Sequence, residues 1–148
     1  MEKKLLLLLF LHIGPSMSNL SGNIVEIQVK TSNEFYADMT FGHLDLVICD
    51  VTLDGSATCC IIDNLDSKND DFQLGSLDSF RDDDLQGCQN FNLPNNGVNS
   101  LLSAHRGVDG WLGEFVIVML DSGVFYQCPI PGWLYNDEEY SLECTVKM

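Results

Sequence analysis

Residues 115–120 are six apolar side chains in a row, Phe-Val-Ile-Val-Met-Leu, and they leave the surrounding stretch few ways to fold. The run is too short to cross a bilayer, which takes about 20 apolar residues, and its β-branched and aromatic content favours a strand. Asp121-Ser122-Gly123 then supplies a tight turn, and Val124-Phe125-Tyr126 returns as a second strand. Trp111 precedes this hairpin and Trp133 follows it. The pattern predicts a buried hairpin with Phe115 and Trp133 in the core. Trp111 has two readings: buried, it closes the core beside Phe115; exposed, it becomes a contact for a lipid interface or a protein partner.

The rest of the chain repeats the strand signature. Val25, Ile27 and Val29 alternate with Glu26, Gln28 and Lys30, which predicts a half-buried strand. A second strand is expected over 44–51 and a short third at Cys60-Ile61-Ile62. Residues 63–100 are rich in Asp, Asn and Gly, the composition of loops and turns. Leu101 and Leu102 open another strand, and Tyr140, Leu142, Cys144 and Val146 alternate with polar residues in a last one. No amphipathic helix longer than two turns is evident. Many short strands at this spacing predict an all-β chain, an antiparallel sandwich of two sheets with about eight strands.

Charge removes one class of partner. The 148 residues hold 22 acidic against 7 basic side chains, a net charge of −15. Such a surface repels nucleic acid and bare anionic lipid, and it favours solubility. At the start, Lys3 and Lys4 precede the apolar run 5–11, Gly14-Pro15 ends it, and Ser16-Met17-Ser18 offers small residues for cleavage. These features predict a signal peptide over residues 1–18 and a secreted domain over 19–148, with no transmembrane segment. Without the leader the chain keeps 21 acidic and 5 basic residues, net −16. Asn19-Leu20-Ser21 is a glycosylation sequon, with Asn19 as the acceptor.

Six cysteines in a secreted chain imply three disulfides, among fifteen possible pairings. If Asp54-Gly55 makes a two-residue turn, counting outward places Cys49 opposite Cys60. Cys128 and Cys144 flank the last structural block and are expected mates, which leaves Cys59 for Cys88. Adjacent cysteines on a strand point to opposite faces, so Cys59 and Cys60 take different partners. A zinc site is the rival use of these thiols, but no Cys-x-x-Cys pair is present.

Phe72-x-x-Gly75-Ser76-x-Asp78-x-Phe80, the strand at 101–105, Gly110-Trp111-Leu112 with its apolar strand, then Cys128 and Trp133-Leu134 together resemble a PLAT (LH2) domain. That lipoxygenase-type β-sandwich also occurs in polycystins, secreted lipases and bacterial toxins. The resemblance covers about residues 24–145. It implies a module for lipid surfaces or extracellular proteins rather than a catalyst. Calcium-binding members of the family carry a Gly-Thr-Asp type loop before the second strand. The matching stretch here, 38–43, keeps Thr40 and has Phe41 in the place of the acid, with Asp38 nearby as its substitute. The calcium ligands expected from the loops are therefore Asp38, Thr40, Asp66 and Asp70, with Asp63 and Asp71 beside them. The alternative for these acids is a solvated rim that keeps the chain soluble.

Catalytic signatures are missing. The chain has no Gly-x-Ser-x-Gly elbow, no His-Glu-x-x-His and no phosphate-cradling glycine loop. Asp82-x-Asp84-x-Gln86-Gly87 imitates the opening of an EF-hand loop, but Leu93 stands where the closing Glu belongs. His43 and His105, far apart in sequence, read as isolated strand or loop residues. The expectation is a non-enzymatic secreted binding module for lipid surfaces or extracellular proteins. The alternative is a disulfide-stapled structural or defence protein of extracellular matrix or mucus.

Overall fold

The structure is a computed structural model and describes residues 21–51, 54–93 and 97–147. The leader at 1–18 and the sequon at Asn19 lie outside the described residues. In chain order the strands are β1 (Gly22–Thr31), β2 (His43–Asp50), β3 (Cys59–Ile62), β4 (Leu77–Arg81), β5 (Asn92–Leu93), β6 (Val98–His105), β7 (Trp111–Leu120), β8 (Phe125–Pro129), β9 (Trp133–Leu134), β10 (Glu139–Glu143) and β11 (Thr145–Lys147). A kinked 3-10 segment, Asp82–Cys88, follows β4. One antiparallel sheet runs β11-β8-β7-β1-β4, with β5 added to β1 and β9 to β7; the other runs β10-β6-β2-β3. The result is the expected sandwich. Eight strands have four or more residues, and the three shorter ones extend the larger sheet.

The hairpin β7–β8 forms where its sequence placed it. Met119 pairs with Phe125, the Leu120 amide donates to the Val124 carbonyl at 2.9 Å, and Gly123 takes φ 90 in the turn. Ile24, Ile27 and Val29 of β1 and Val116, Val118 and Leu120 of β7 are buried with Leu44, Leu46 and Ile48 of β2 and Leu102 of β6. Each such side chain contributes about 1.5–3 kcal/mol of burial.

Four expectations change in the structure. First, β1 does not alternate strictly. A register shift against β7 between Ile24 and Glu26 inserts one residue, so Val25 is 40% exposed and Ile24 takes the core position. Glu26, now buried, accepts from Arg81 Nε at 2.8 Å across the β1–β4 pair.

Second, the core tryptophan is Trp111. Its indole is fully buried and donates to Thr31 Oγ1 at 3.1 Å, which excludes it as a lipid or partner contact. Gly113 makes room for it: a Cβ there would stand 2.2 Å from the ring. Phe115 and Trp133, expected in the core, are only half-buried, because Val116 and Val118 take the inner face of β7 and Leu134 that of β9.

Third, the final strand is two strands. The chain leaves the smaller sheet after Glu143 and joins the larger one at Thr145. Cys144 sits at the crossing, and its disulfide to Cys128 on β8 has a Cα–Cα distance of 4.2 Å.

Fourth, the pairings Cys49–Cys60 and Cys59–Cys88 are replaced by Cys49–Cys59 and Cys60–Cys88. The hairpin count is out by one residue: Cys49 faces Cys59 and Ile48 faces Cys60. Asp50 closes the hairpin through Thr58, donating its amide to the Thr58 carbonyl at 3.0 Å and accepting the Thr58 amide on Oδ1 at 2.7 Å. A slip of one residue exchanges the two faces of a strand. Cys60 thereby turns inward and meets the buried Cys88 of the 3-10 segment. Three disulfides suit an oxidising environment. Among the described residues no helix is long and apolar enough to cross a membrane.

Candidate functional site

Strand register gathers four loops at one end of the sandwich. Thr31 pairs with Gly113, His43 with His105, Trp111 with Leu134, and Glu139 with Ser103. The loop 32–42 is hung on the start of β7: the Ser32 amide donates to the Leu112 carbonyl at 2.9 Å and the Leu112 amide to the Ala37 carbonyl at 3.1 Å. The Met39 amide reaches the Phe72 carbonyl, and the Asn136 amide the Val108 carbonyl. Loops 32–42, 63–76, 106–110 and 135–138 therefore share this end.

The Phe72 to Phe80 motif is part of the support. Asp78 accepts the Phe72 amide and the Ser76 hydroxyl, both at 2.8 Å. The rings of Phe72 and Phe80 stack with centroids 6.0 Å apart, and Phe72 meets Trp111 edge-on at 5.8 Å. Gly75, at φ 71, lies against Asn33 so closely that a Cβ would stand 2.1 Å from the amide oxygen. The Phe72 to Phe80 spacing is thus part of the framework of the loop end.

What the loop end presents outward is aromatic. Phe35 is 78% exposed, Tyr36 76%, Phe41 68% and Tyr135 49%. Phe35 and Tyr36 meet edge to face at 4.4 Å. Beside them Tyr36, Trp133 and Tyr135 line a depression of about 490 Å³ together with Asp38, Thr40, Asp109 and Gly110. Large apolar groups gathered on a surface mark contact sites, and rings with a polar tip suit the boundary between water and an apolar phase.

The expected calcium ligands are divided. Asp38 and Thr40 line the aromatic depression, whereas Asp66 and Asp70 line a neighbouring one that Thr40 also reaches. Among the described residues no group of three or more His, Cys, Asp or Glu is placed to hold a metal ion. Asp38 sits on the loop tied to β7, and two of the 63–76 acids are engaged within their own loop. Asp71 accepts both the amide and the hydroxyl of Ser67, and Asp70 accepts from Gln73 Nε2 at 3.1 Å.

One cluster went unread in the sequence. His43 and His105 are cross-strand partners, with ring centroids 5.8 Å apart. Asp45 stands between them, 3.4 Å from each Nε2, and Asp137 lies 3.6 Å from His105 Nδ1. Asp63, Asn64 and Arg106 complete the lining of a depression of about 620 Å³. No Ser, Thr or Cys among the described residues lines it. Nothing local in the chain announces it, because β2 and β6 become neighbours only through sheet pairing.

No protein-family model matches the chain, and no curated protein matches it. Among solved structures it is similar to the alpha toxin of Clostridium absonum, with a TM-score of 0.53 and 19% identity over 84% of this chain. It is likewise similar to the alpha-toxin of Clostridium perfringens from an avian strain, with a TM-score of 0.56 and 20% identity over 85% of this chain. The match spans 32% of either toxin. A likeness at this identity shows the fold, a two-sheet β-sandwich that also serves as one part of a larger toxin.

Proposed function

We propose that the chain is a secreted, non-catalytic module that docks on lipid surfaces through its aromatic loop end. One observation carries this reading: Phe35, Tyr36, Phe41 and Tyr135 are all exposed on loops at one end of the sandwich. A phenylalanine ring withdrawn from water contributes about 2–3 kcal/mol, so two such rings are enough for measurable partitioning. The PLAT resemblance of the motifs and the sandwich shared with the toxins support the same use of the fold. Three disulfides support secretion. Among the described residues no group of three or more acidic side chains is placed around one point, so the proposed docking rests on the exposed rings.

Sedimentation with zwitterionic vesicles tests this, with and without millimolar calcium. The protein is expected to sediment in both conditions, and Phe35→Ala with Phe41→Ala to weaken partitioning more than tenfold at an unchanged melting temperature. A double variant that sediments like the parent refutes the reading. Failure of the parent to sediment leaves the durable, disulfide-stapled matrix protein as the better account. Sedimentation that appears only with calcium would return Asp38, Thr40, Asp66 and Asp70 as ligands assembled at the surface.

A further inference from the structure

The aromatic depression has the lining of a receptor for an organic cation. Three of its walls are rings, Tyr36, Trp133 and Tyr135, and two carboxylates, Asp38 and Asp109, stand among them. Gly110 sits between two of the rings. It takes φ 131, and a Cβ there would lie 3.0 Å from Tyr135 Cε1 and 3.8 Å from Trp133 Cε3, so both rings converge on one point. Among the described residues no Lys, Arg or His lines the depression, so its two carboxylates are not neutralised from within. A small metal ion needs several charged donors at short range, and among the described residues no group of three or more His, Cys, Asp or Glu is placed to supply them. A quaternary ammonium differs in both respects. It has no N–H to satisfy and a diffuse charge, and it is attracted by ring faces and by carboxylates at longer range.

The geometry points to a site for a quaternary ammonium group among Tyr36, Trp133 and Tyr135, supplied by the choline headgroup of a membrane phospholipid. This rests on the lipid-docking reading and names the headgroup. Charge complementarity selects the source: a chain of net −15 is repelled by anionic lipid, and the trimethylammonium is the outermost, positive part of a choline headgroup. Phe35 and Phe41, exposed on the same loop, would enter the interface alongside.

Two measurements separate this inference from the reading beneath it. The first is titration of the protein with tetramethylammonium and with phosphocholine, followed by tryptophan fluorescence. Trp111 is fully buried and Trp133 lines the site, so a response reports Trp133. Saturable binding is expected, weakened about threefold to thirtyfold by Tyr135→Leu and about fivefold by Asp109→Asn. Tyr135 and Asp109 are exposed, so both variants should keep the parent's melting temperature. Absence of a saturable response, or a response unchanged in both variants, overturns the site. The second is sedimentation with phosphatidylcholine against phosphatidylglycerol vesicles. Preference for the choline lipid, competed by phosphocholine and lost in Tyr135→Leu, supports the proposal. Equal sedimentation with both lipids, uncompeted, overturns the headgroup and leaves docking standing. A free-ion response without vesicle binding overturns the lipid source together with the docking reading.

Discussion

Replacing Gly113 with alanine tests whether Trp111 anchors the start of β7 in the core. A Cβ at 113 would stand 2.2 Å from Trp111 Cη2, 2.7 Å from Cζ3 and 2.5 Å from Ile130 Cδ1. Ordinary carbon contacts lie at about 3.5–4.0 Å, so the indole must retreat by more than about 1 Å. It has no free direction, since its N–H is bound to Thr31 Oγ1 and its edge packs on Phe72. Overpacking of this kind costs about 3 kcal/mol, from which the lower unfolded-chain entropy of alanine recovers about 0.5 kcal/mol. Trp111→Phe alone should cost about 2–4 kcal/mol, through the smaller ring and the Thr31 hydroxyl left without its donor. In the Trp111→Phe background the worst contacts are gone, and Gly113→Ala should cost only about 1 kcal/mol, against the flexible end of Ile130. The two changes are then coupled by about 1.5 kcal/mol, well above the few tenths expected of independent sites. Urea unfolding with the disulfides intact measures all four corners of the cycle, at unchanged m-value. Additivity within about 0.5 kcal/mol would refute the reasoning.

The disulfides make a second prediction. Cys60–Cys88 closes 28 residues and Cys49–Cys59 closes 10, so on loop-closure entropy their removal costs about 3.6 and about 2.7 kcal/mol. Partial reduction and alkylation before peptide mapping checks the pairing; a species holding only Cys49–Cys60 would contradict the register. A third prediction concerns alkaline pH. Burial pushes the Tyr126 phenol above its ordinary range, so the folded chain keeps a proton that the unfolded chain releases. Stability is unaffected below about pH 10 and falls as pH rises through the folded value, a decline that Tyr126→Phe should reduce in denaturation at alkaline pH.

Local pattern was enough for most of the architecture. Alternation marked β1 and β10, the apolar run with Asp121-Ser122-Gly123 marked the β7–β8 hairpin, and the density of short strands marked a sandwich. The Phe72 to Phe80 spacing was visible too, because Asp78, Gly75 and the two rings act within ten residues of one another. Tertiary structure decided the rest. The bulge at Val25 depends on how β1 meets β7, ninety residues away, and the slip that gives Cys49 to Cys59 depends on how Asp50 closes its loop. Which tryptophan is buried follows from the cavity that Gly113 leaves. His43 and His105 meet only through the β2–β6 pair, and the rings of Tyr36, Trp133 and Tyr135 only where three loops converge. Periodicity states which face of a strand is apolar. It carries no information on which distant strand that face will meet, or in what register, and the site is made from those long-range pairings.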